Sequence, residues 1–495
     1  MGTPSSNPES TSTSTEPSVR DLTKLPTHIP GLDRVLRGGL PEGRMTTLTG
    51  GPGSGKTMLA LEILYRSVAS GKAGILVSFE ESDALIRGNA LSMGWDLAAL
   101  EAAGRLAVVH PHIDYKVLKS GEFNIEALVA VLAGKAQELG ACCIVIDALD
   151  MLLRFFEAPH RQHDEFLRLY EWLQNRKMTA ILTVKLEQSF QVVKKYDFLD
   201  YLADCLIYLD QRVSGQIMTR RMRIIKYRGS GYSSNEHPFI ITSKGSILMP
   251  VTATALNHKA LGAPVPAGLG RLDRILGGGY RQGSSVLISG PTGSGKTSFA
   301  SLFAQSACRR GDRVQYVSFE ESPDTLMGSM NSMKIDLAPH VQGGHLRFLT
   351  AMPEALGVEE HLFRIFSSID GFQPKHHIVD AVSAAVRMGS EKAAFDFMVR
   401  LMDECKKRGI TCIYTNQTSS RTPVDEISGI GISSLIDTAV ILDYDRREDE
   451  FGRSLLVLKS RGASHSHKIH SFRMTSDGIL LSGPDSETGS EGGAR

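Results

Sequence analysis

The chain contains the stretch GGPGSGKT at residues 50–57, and GPTGSGKT follows at residues 290–297. Each stretch lies between an apolar segment and a helical pattern, which is the context of a phosphate-binding loop (P-loop). Its glycines let successive backbone N–H groups turn toward one centre and hold phosphates, and the following helix N-terminus adds to the attraction for anions. The predicted ATP-binding residues of the two loops are Gly50, Gly51, Gly53, Ser54, Gly55, Lys56, Thr57, Gly290, Thr292, Gly293, Ser294, Gly295, Lys296 and Thr297.

The two loops belong to an internal repeat of the chain. Lys296 lies 240 positions after Lys56, and the same offset joins two SFEES segments that begin at Ser78 and Ser318. Further along, the offset becomes 233, as between Asp147 and Asp380. Many matches at two constant offsets indicate two homologous domains.

Each copy alternates short apolar strands with helical stretches, which is typical of a mainly parallel sheet with helices on its faces. The predicted fold class is therefore α/β, with two tandem RecA-like P-loop NTPase domains, each a mainly parallel twisted sheet flanked by helices. We place the domains at residues 19–250 and 268–482 and a linker at 251–267. Polar tails at 1–18 and 483–495 are expected to be disordered because they cannot bury a core.

Composition and charge argue against several classes of function. The chain has 55 basic and 54 acidic side chains, for a net charge of +1. A nucleic-acid-binding protein usually has a clear basic excess, so nucleic acid is not an expected partner. The sequence has neither an apolar run long enough for a membrane span nor a signal-peptide pattern, and its six cysteines form no CxxC pair. These features favour reduced thiols and a cytoplasmic location.

Carboxylates at the ends of predicted strands are candidates for chemistry. Asp147 and Asp380 end apolar strands, where an aspartate can hold Mg²⁺ together with the hydroxyls of Thr57 and Thr297; a helix cap is the alternative. Attack on the γ-phosphate needs a group that orients or deprotonates the nucleophile, and a strand-end carboxylate beside the P-loop can do so. These catalytic candidates, which could instead cap the helices that follow them, are Glu80, Glu81, Glu320 and Glu321.

Two Lys-x-Arg-Gly segments supply further cations. Lys226 and Arg228 share one face of a strand-like run, because side chains alternate along a strand, and Lys459 and Arg461 repeat the arrangement. Such a fork suits a phosphate, including one bound to a neighbouring subunit, as arginine fingers do. A solvated strand edge, or a nucleic-acid patch with Arg220, Arg221 and Arg223, is the alternative.

Taken together, these motifs resemble the KaiC family, the two-domain ATPases and autokinases of the cyanobacterial circadian clock, over residues 20–480. The resemblance implies a homohexameric double ring with ATP at the subunit interfaces and the first glutamate of each pair as the catalytic base. It also implies that the two Lys-x-Arg segments, with His465 after the second, reach the ATP of the adjacent subunit. A KaiB-like protein partner is consistent with it.

The resemblance further implies phosphoacceptors at Ser433 and Ser434, where the first copy has Asp200 and Tyr201. This asymmetry predicts hydrolysis in the first domain and autophosphorylation in the second. The chain departs from the family's clock member in having an alanine after each strand-end aspartate. It also has only a short polar tail in place of the long extension on which a KaiA-type activator acts, so control by such an activator is not expected.

The sequence therefore predicts a KaiC-like, ATP-dependent serine autokinase and slow ATPase, a non-specific serine/threonine protein kinase that acts as a signalling or circadian-clock hub. Its predicted cofactors are ATP and Mg²⁺. The alternative is a RecA-like, DNA-dependent ATPase of recombination or repair, which would show DNA-stimulated turnover that weakens as salt rises. A third interpretation is a scaffold in which ATP only joins subunits, and the two glutamate pairs argue against it.

Overall fold

The computed structural model describes most of the chain, namely residues 22–111, 124–156, 158–185, 196–214, 217–250, 258–418, 431–447 and 450–482. The predicted tails at 1–18 and 483–495 lie outside these ranges, as does the 251–257 part of the predicted linker. The chain divides into two compact units that separate near residue 252. Within the described ranges, we find no helix with both the length and the apolar character that a membrane span requires.

The first unit is built on a nine-stranded sheet in the order β11-β10-β9-β8-β3-β7-β6-β4-β5, while β1 and β2 pair separately. Strand β3 runs parallel to both β7 and β8, and β6 runs parallel to β4 and β7. The strands are β1 Lys24–Leu25, β2 Leu40–Pro41, β3 Met45–Gly50, β4 Gly74–Ser78, β5 Leu106–Val109, β6 Cys143–Asp147, β7 Thr179–Lys185, β8 Cys205–Ser214, β9 Ile217–Tyr227, β10 Glu236–Thr242 and β11 Gly245–Leu248.

Local sequence explains where the helices of the first unit begin and end. The helix at 159–175 starts on Pro159, whose fixed φ suits a first turn, and the helix at 126–139 ends at Gly140, which is left-handed with φ 63°. The helices described in this unit are α1 Leu32–Val35, α2 Lys56–Ala69, α3 Asp83–Ser92, α4 Leu97–Ala102, α5 Glu126–Leu139, α6 Leu149–Leu153, α7 Pro159–Asn175 and α8 Asp197–Leu202.

The second unit repeats the same sheet, in the order β16-β15-β17-β18-β14-β19-β20-β21-β22, with β12 and β13 paired separately. Its strands are β12 Pro264–Val265, β13 Tyr280–Arg281, β14 Ser285–Gly290, β15 Val314–Ser318, β16 Leu346–Thr350, β17 His376–Asp380, β18 Thr411–Gln417, β19 Thr438–Arg447, β20 Glu450–Ser460, β21 His470–Thr475 and β22 Gly478–Leu481. Its described helices are α9 Gly270–Ile275, α10 Lys296–Arg309, α11 Pro323–Asn331, α12 Ala338–Gln342, α13 Val358–Phe372 and α14 Glu391–Arg408, with short 3₁₀ turns at Pro353–Ala355, Val382–Met388 and Ile432–Leu435.

Both faces of the first sheet are covered by apolar packing. Leu76 and Val77 are neighbours on β4, yet Leu76 belongs to a cluster that includes Leu64 of α2, and Val77 belongs to a cluster that includes Phe166 of α7. Alternation along a strand turns successive side chains to opposite faces, so helices cover the sheet on both sides. The predicted α/β fold with two tandem domains is confirmed.

The cysteines lie inside this packing. All six thiols are free; Cys142 is half-buried and the other five are buried. This agrees with the predicted reduced thiols and leaves no disulfide among the residues that the structure describes.

A core substitution tests the packing of the second unit. Phe303 is 1% exposed and packs edge-on against Tyr280 and His376 with ring centroids 5.7 and 5.1 Å apart. We expect Phe303→Ala to lower the free energy of unfolding of this unit by about 3–5 kcal/mol, because it leaves a cavity. Urea unfolding of the full chain measures the change, and Phe395→Ala, at a residue 38% exposed, is the control. A loss for Phe303→Ala no larger than the control's would contradict the packing.

Candidate active site

The first P-loop connects β3 to α2 and is shaped by its glycines. Gly55, which precedes α2, has a φ of 98°, a left-handed conformation that favours glycine. At Gly50 an added Cβ would lie 2.2 Å from the carbonyl oxygen of Leu209, so only glycine fits against β8. The Ser54 hydroxyl donates to the Gly51 carbonyl at 2.9 Å and closes the loop.

The lysine of each loop lies over the loop itself. Lys56 Nζ donates to the carbonyls of Gly50 and Gly51 at 3.0 and 2.8 Å, and burial lowers the pKa of this lysine. Lys296 Nζ donates in the same way to the first two carbonyls of its own loop, at 2.9 and 2.8 Å. Both ammonium groups are therefore held where a phosphate bound to the loop would meet them.

Asp147 is the last residue of β6 and lies, like the P-loop, at the C-terminal end of the parallel strands. Its Oδ1 accepts hydrogen bonds from the hydroxyls of Thr57, at 3.1 Å, and Thr183. Burial raises the pKa of Asp147. Hydroxyl and carboxylate oxygens are the ligands that Mg²⁺ prefers, usually completed by substrate phosphates. Among the described residues, no cluster of three or more His, Cys, Asp or Glu side chains could hold a metal, so a metal here would need the phosphates as ligands.

The structure separates the two glutamates of the first pair. The Phe79 N–H donates to the Asp147 carbonyl at 2.7 Å, and Glu80 lines the same cleft as Lys56 and Asp147. Glu81 is held apart, because its Oε2 accepts from Asn89 at 3.0 Å. The geometry therefore favours Glu80 over Glu81 as the group that faces the nucleotide.

The alternative role of these glutamates as helix caps does not match the described contacts. In the second copy, the N-cap of α11 is Ser322, whose hydroxyl accepts from the Thr325 N–H. In the first copy, Ser82 is the N-cap residue of α3 and makes no side-chain cap bond. Neither helix begins on a glutamate of the pairs.

The first cleft has a volume of about 550 Å³, within the range of small-molecule sites. Sequence reasoning named Arg220 only in the alternative of a nucleic-acid patch, but its side chain lines this cleft, and its Nε donates to the Gly53 carbonyl at 3.2 Å. Arg453 donates to the Gly293 carbonyl at 3.4 Å. The 233 offset that joins the two arginines is the signal that could have found them. The cleft is lined by Pro52, Gly53, Gly55, Lys56, Thr57, Met58, Glu80, Asp147, Ala148, Thr183, Lys185, Arg220 and Ile241.

The second site repeats the arrangement with different contacts. The Phe319 N–H donates to the Asp380 carbonyl at 2.9 Å, which places the second glutamate pair beside this aspartate. The carboxylate of Asp380 accepts from the hydroxyls of Tyr316, at 2.8 Å, and Thr415. In the described part of the chain no bond joins Asp380 to Thr297, unlike the first site. Burial raises the pKa of Glu321, and the charges of Asp380 and Glu320 add to the effect.

In the first copy, Lys226 and Arg228 are not among the residues that line the cleft. Lys226 Nζ donates to the carbonyls of Asp200 and Tyr201 at 2.8 and 3.0 Å, and Arg228 also donates to the Tyr201 carbonyl, at 2.6 Å. Both side chains thus lie on one side of the strand, as its alternation predicts.

The second copy places the same kind of contact on the candidate phosphoacceptors. Lys459 donates to the Ser433 carbonyl at 3.5 Å and Arg461 to the Ser434 carbonyl at 3.1 Å. The side chains of both serines are exposed. His465 is half-buried and packs against His467, with the ring centroids 4.6 Å apart.

Strand register places the two serines, Lys459 and Arg461 at the end of the sheet where the parallel strands begin. The P-loop lies at the other end, where these strands finish. Thr438, the first residue of β19, pairs with Val286 near the start of β14 and with Ser460 at the end of β20. The P-loop begins at Gly290, four residues further along β14, or about 13 Å away at 3.3 Å per residue. One copy therefore keeps its serines and its own P-loop apart.

A family model described as "ATPase: KaiC" matches residues 25–252 and 265–486 of the chain. The chain belongs to the KaiC ATPase family. The two matched ranges correspond to the two copies of the repeat, so each copy is a KaiC-type ATPase domain.

Relatives of known name agree with this membership. The circadian clock protein KaiC2 of Synechocystis sp. is 36% identical over 464 residues, which cover 93% of this chain and 81% of that protein. The circadian clock oscillator protein KaiC of Thermostichus vulcanus is 32% identical over 477 residues, or 96% of this chain and 92% of that protein. The predicted KaiC resemblance is confirmed, and these similarities favour it over the RecA-like, DNA-dependent alternative.

A KaiC-type chain with two P-loops should bind two nucleotides, and each P-loop lysine should be needed for one of them. We expect equilibrium dialysis with a non-hydrolysable ATP analogue to give two sites per chain for the natural sequence. Lys56→Ala and Lys296→Ala should each leave one, because each removes the cation that meets the phosphates. Lys72→Ala, which removes a surface pair with Glu42, is the control and should keep two. Two sites in either P-loop variant would contradict the assignment.

Proposed function

We propose that this chain is an ATP-dependent serine autokinase and slow ATPase. The first domain hydrolyses ATP, and the second transfers the γ-phosphate of ATP to Ser433 or Ser434. The observation that carries the proposal is the exposed serine pair between Lys459 and Arg461, where the first copy has an aspartate and a tyrosine. The names of the relatives, which are circadian clock proteins, support a role in signalling or timing.

The residues of each cleft have separate tasks in this proposal. Lys56 and Lys296 bind the β- and γ-phosphates of ATP. Thr57 with Asp147, and Thr297 with Asp380, would hold Mg²⁺, which neutralises charge on the phosphates when bound. Catalysis then comes mainly from positioning and from charge stabilisation inside the cleft.

The catalytic bases differ in what they deprotonate. Glu80 takes a proton from the attacking water in the first domain, because it is the member of its pair that faces the cleft. Glu320 takes the proton of a serine hydroxyl in the second domain. Glu81 and Glu321 then shape the pocket beside the base.

Strand register supports transfer between copies of the chain. The serines and the Lys-x-Arg segment of the second copy lie where the parallel strands of their sheet begin, and the P-loop lies where these strands end. A serine therefore meets ATP on a second chain. A homohexameric ring, in which Lys226, Arg228, Lys459, Arg461 and His465 reach the nucleotide of the adjacent subunit, satisfies this requirement. A KaiB-like protein partner remains part of the proposal, and a KaiA-type activator does not.

Phosphosite mapping by mass spectrometry tests the division of labour. After incubation with Mg-ATP, we expect phosphate on Ser433 or Ser434 in the natural chain and in Glu80→Gln. Glu320→Gln should lack it, because the serine hydroxyl loses its base. The same samples, assayed for ADP release, should show the opposite pattern, with Glu80→Gln the slower hydrolase. Unmodified serines despite steady ATP turnover would contradict the proposed kinase activity, and the chain would then be a two-domain ATPase.

Mixed assemblies test transfer between chains. Lys296→Ala keeps the serines but loses ATP at the second site, whereas the Ser433→Ala/Ser434→Ala variant keeps ATP but has no acceptor. We expect no serine phosphate on either variant alone and phosphate on the Lys296→Ala chain after co-assembly. A chain with both Lys296→Ala and Arg461→Ala should be labelled on the order of 10³-fold more slowly in the same mixture, because it lacks the arginine that would reach the ATP of the adjacent subunit. A co-assembled mixture without label would contradict transfer between chains.

A further inference from the structure

The second site holds its strand-end aspartate at both carboxylate oxygens. Thr415 donates to Oδ1 of Asp380, and Tyr316 donates to Oδ2 at 2.8 Å. Tyr316 lies on β15 and is fully buried, so its phenol exchanges no hydrogen bond with solvent. The carboxylate is therefore fixed from two neighbouring strands.

The first site lacks this second support. Leu76 stands at the position of Tyr316, by the 240 offset, and has no polar atom in its side chain. Both hydrogen bonds recorded for the Asp147 carboxylate, from Thr57 and Thr183, end on Oδ1. Among the described residues, none ends on Oδ2.

The packing around Leu76 in the first unit differs from the packing around Tyr316 in the second. Beside Leu76, the first unit has a cavity of about 120 Å³ that also borders Leu61 and Asp147. In the second unit the counterpart of Leu61 is Ser301, a buried small residue whose hydroxyl lies close to the phenol of Tyr316. Two leucines in one copy thus correspond to a small and a large polar residue in the other.

We propose that Tyr316 is a positioning residue of the second nucleotide site, which fixes the Asp380 carboxylate for the metal that accompanies ATP, and that Ser301 provides the space for it. This rests on the proposed function, in which Asp380 supports Mg²⁺. Hydrogen-bond partners of metal-ligating groups orient them, and their loss typically lowers metal affinity by 10–100-fold. In the first site the Thr57 hydroxyl donates to Asp147, whereas within the described ranges no hydrogen bond joins Thr297 to Asp380.

A purely structural role for Tyr316 makes a different prediction. If the phenol only satisfied its own hydrogen-bonding need, removal of its hydroxyl would change the stability of the metal-free chain and leave metal binding alone. A positioning role instead predicts a change in the metal dependence of nucleotide binding at the second site only.

The test uses the full chain with Lys56→Ala, so that nucleotide binds only at the second site. Mn²⁺ is titrated against a non-hydrolysable ATP analogue and followed by electron paramagnetic resonance. We expect Tyr316→Phe to raise the Mn²⁺ concentration for half-occupancy by about 10-fold. The control is Tyr414→Phe, which removes a hydroxyl from an equally buried tyrosine of β18 that, among the described residues, makes no hydrogen bond with Asp380, and it should leave Mn²⁺ binding unchanged.

Two further variants complete the design. Ser301→Leu/Tyr316→Leu restores the pair of the first copy and should reproduce the loss with a differently packed core. Leu61→Ser/Leu76→Tyr, in a chain with Lys296→Ala, should lower the Mn²⁺ requirement of the first site. If Mn²⁺ binding is unchanged in Tyr316→Phe but weaker in Asp380→Asn, the role of Tyr316 is overturned and the metal assignment stands. Unchanged binding in Asp380→Asn as well would overturn the metal assignment on which it rests.

Discussion

The nucleotide sites depend on one backbone hydrogen bond, from the Phe79 N–H to the Asp147 carbonyl, and on its counterpart from Phe319 to Asp380. Each bond extends the pairing of two parallel strands by one residue beyond their regular ends. A buried amide and carbonyl must be paired, so the bond is strongly enforced. It fixes where the chain leaves the sheet, and thereby brings Glu80 into the cleft that holds Lys56.

Local signals made much of this site predictable. A glycine-rich loop after an apolar run specifies a P-loop, and apolar runs that end in a carboxylate place that carboxylate at the edge of a parallel sheet. The apolar strand predicted to end at Asp147, for example, is observed as Cys143–Asp147. Arg220 and Tyr316 escaped prediction because their partners are distant in sequence and are set by sheet order. The shared side of Lys226 and Arg228 followed from alternation, but the carbonyls they contact did not.

Identical topology has not kept the two sites identical. The sheet order and the strand-end bonds are backbone features, and both copies retain them. Side chains beside the aspartate are not constrained in this way, so Leu76 on β4 and Tyr316 on β15 can differ at equivalent positions of the two sheets. Asn89, which holds Glu81 in the first copy, is likewise replaced by the shorter Ser329. The copies thus differ in side chains that contact their strand-end carboxylates, while the P-loops hardly change.

The turn that carries Ser433 and Ser434 has a local reason to suit a phosphate. The last carbonyls of a helical turn lack partners within it. Here three cations satisfy three successive carbonyls, with Lys459 at Ser433, Arg461 at Ser434 and Lys406 at Leu435. Because these bonds use the backbone, the serine hydroxyls stay exposed beside the three cations, of which Lys406 and Arg461 also pair with Asp437. A phosphoserine carries close to two negative charges and three acceptor oxygens, so the same cations can receive it. The first copy places Asp200 there, and a fixed carboxylate both lacks an acceptor hydroxyl and repels an incoming phosphate.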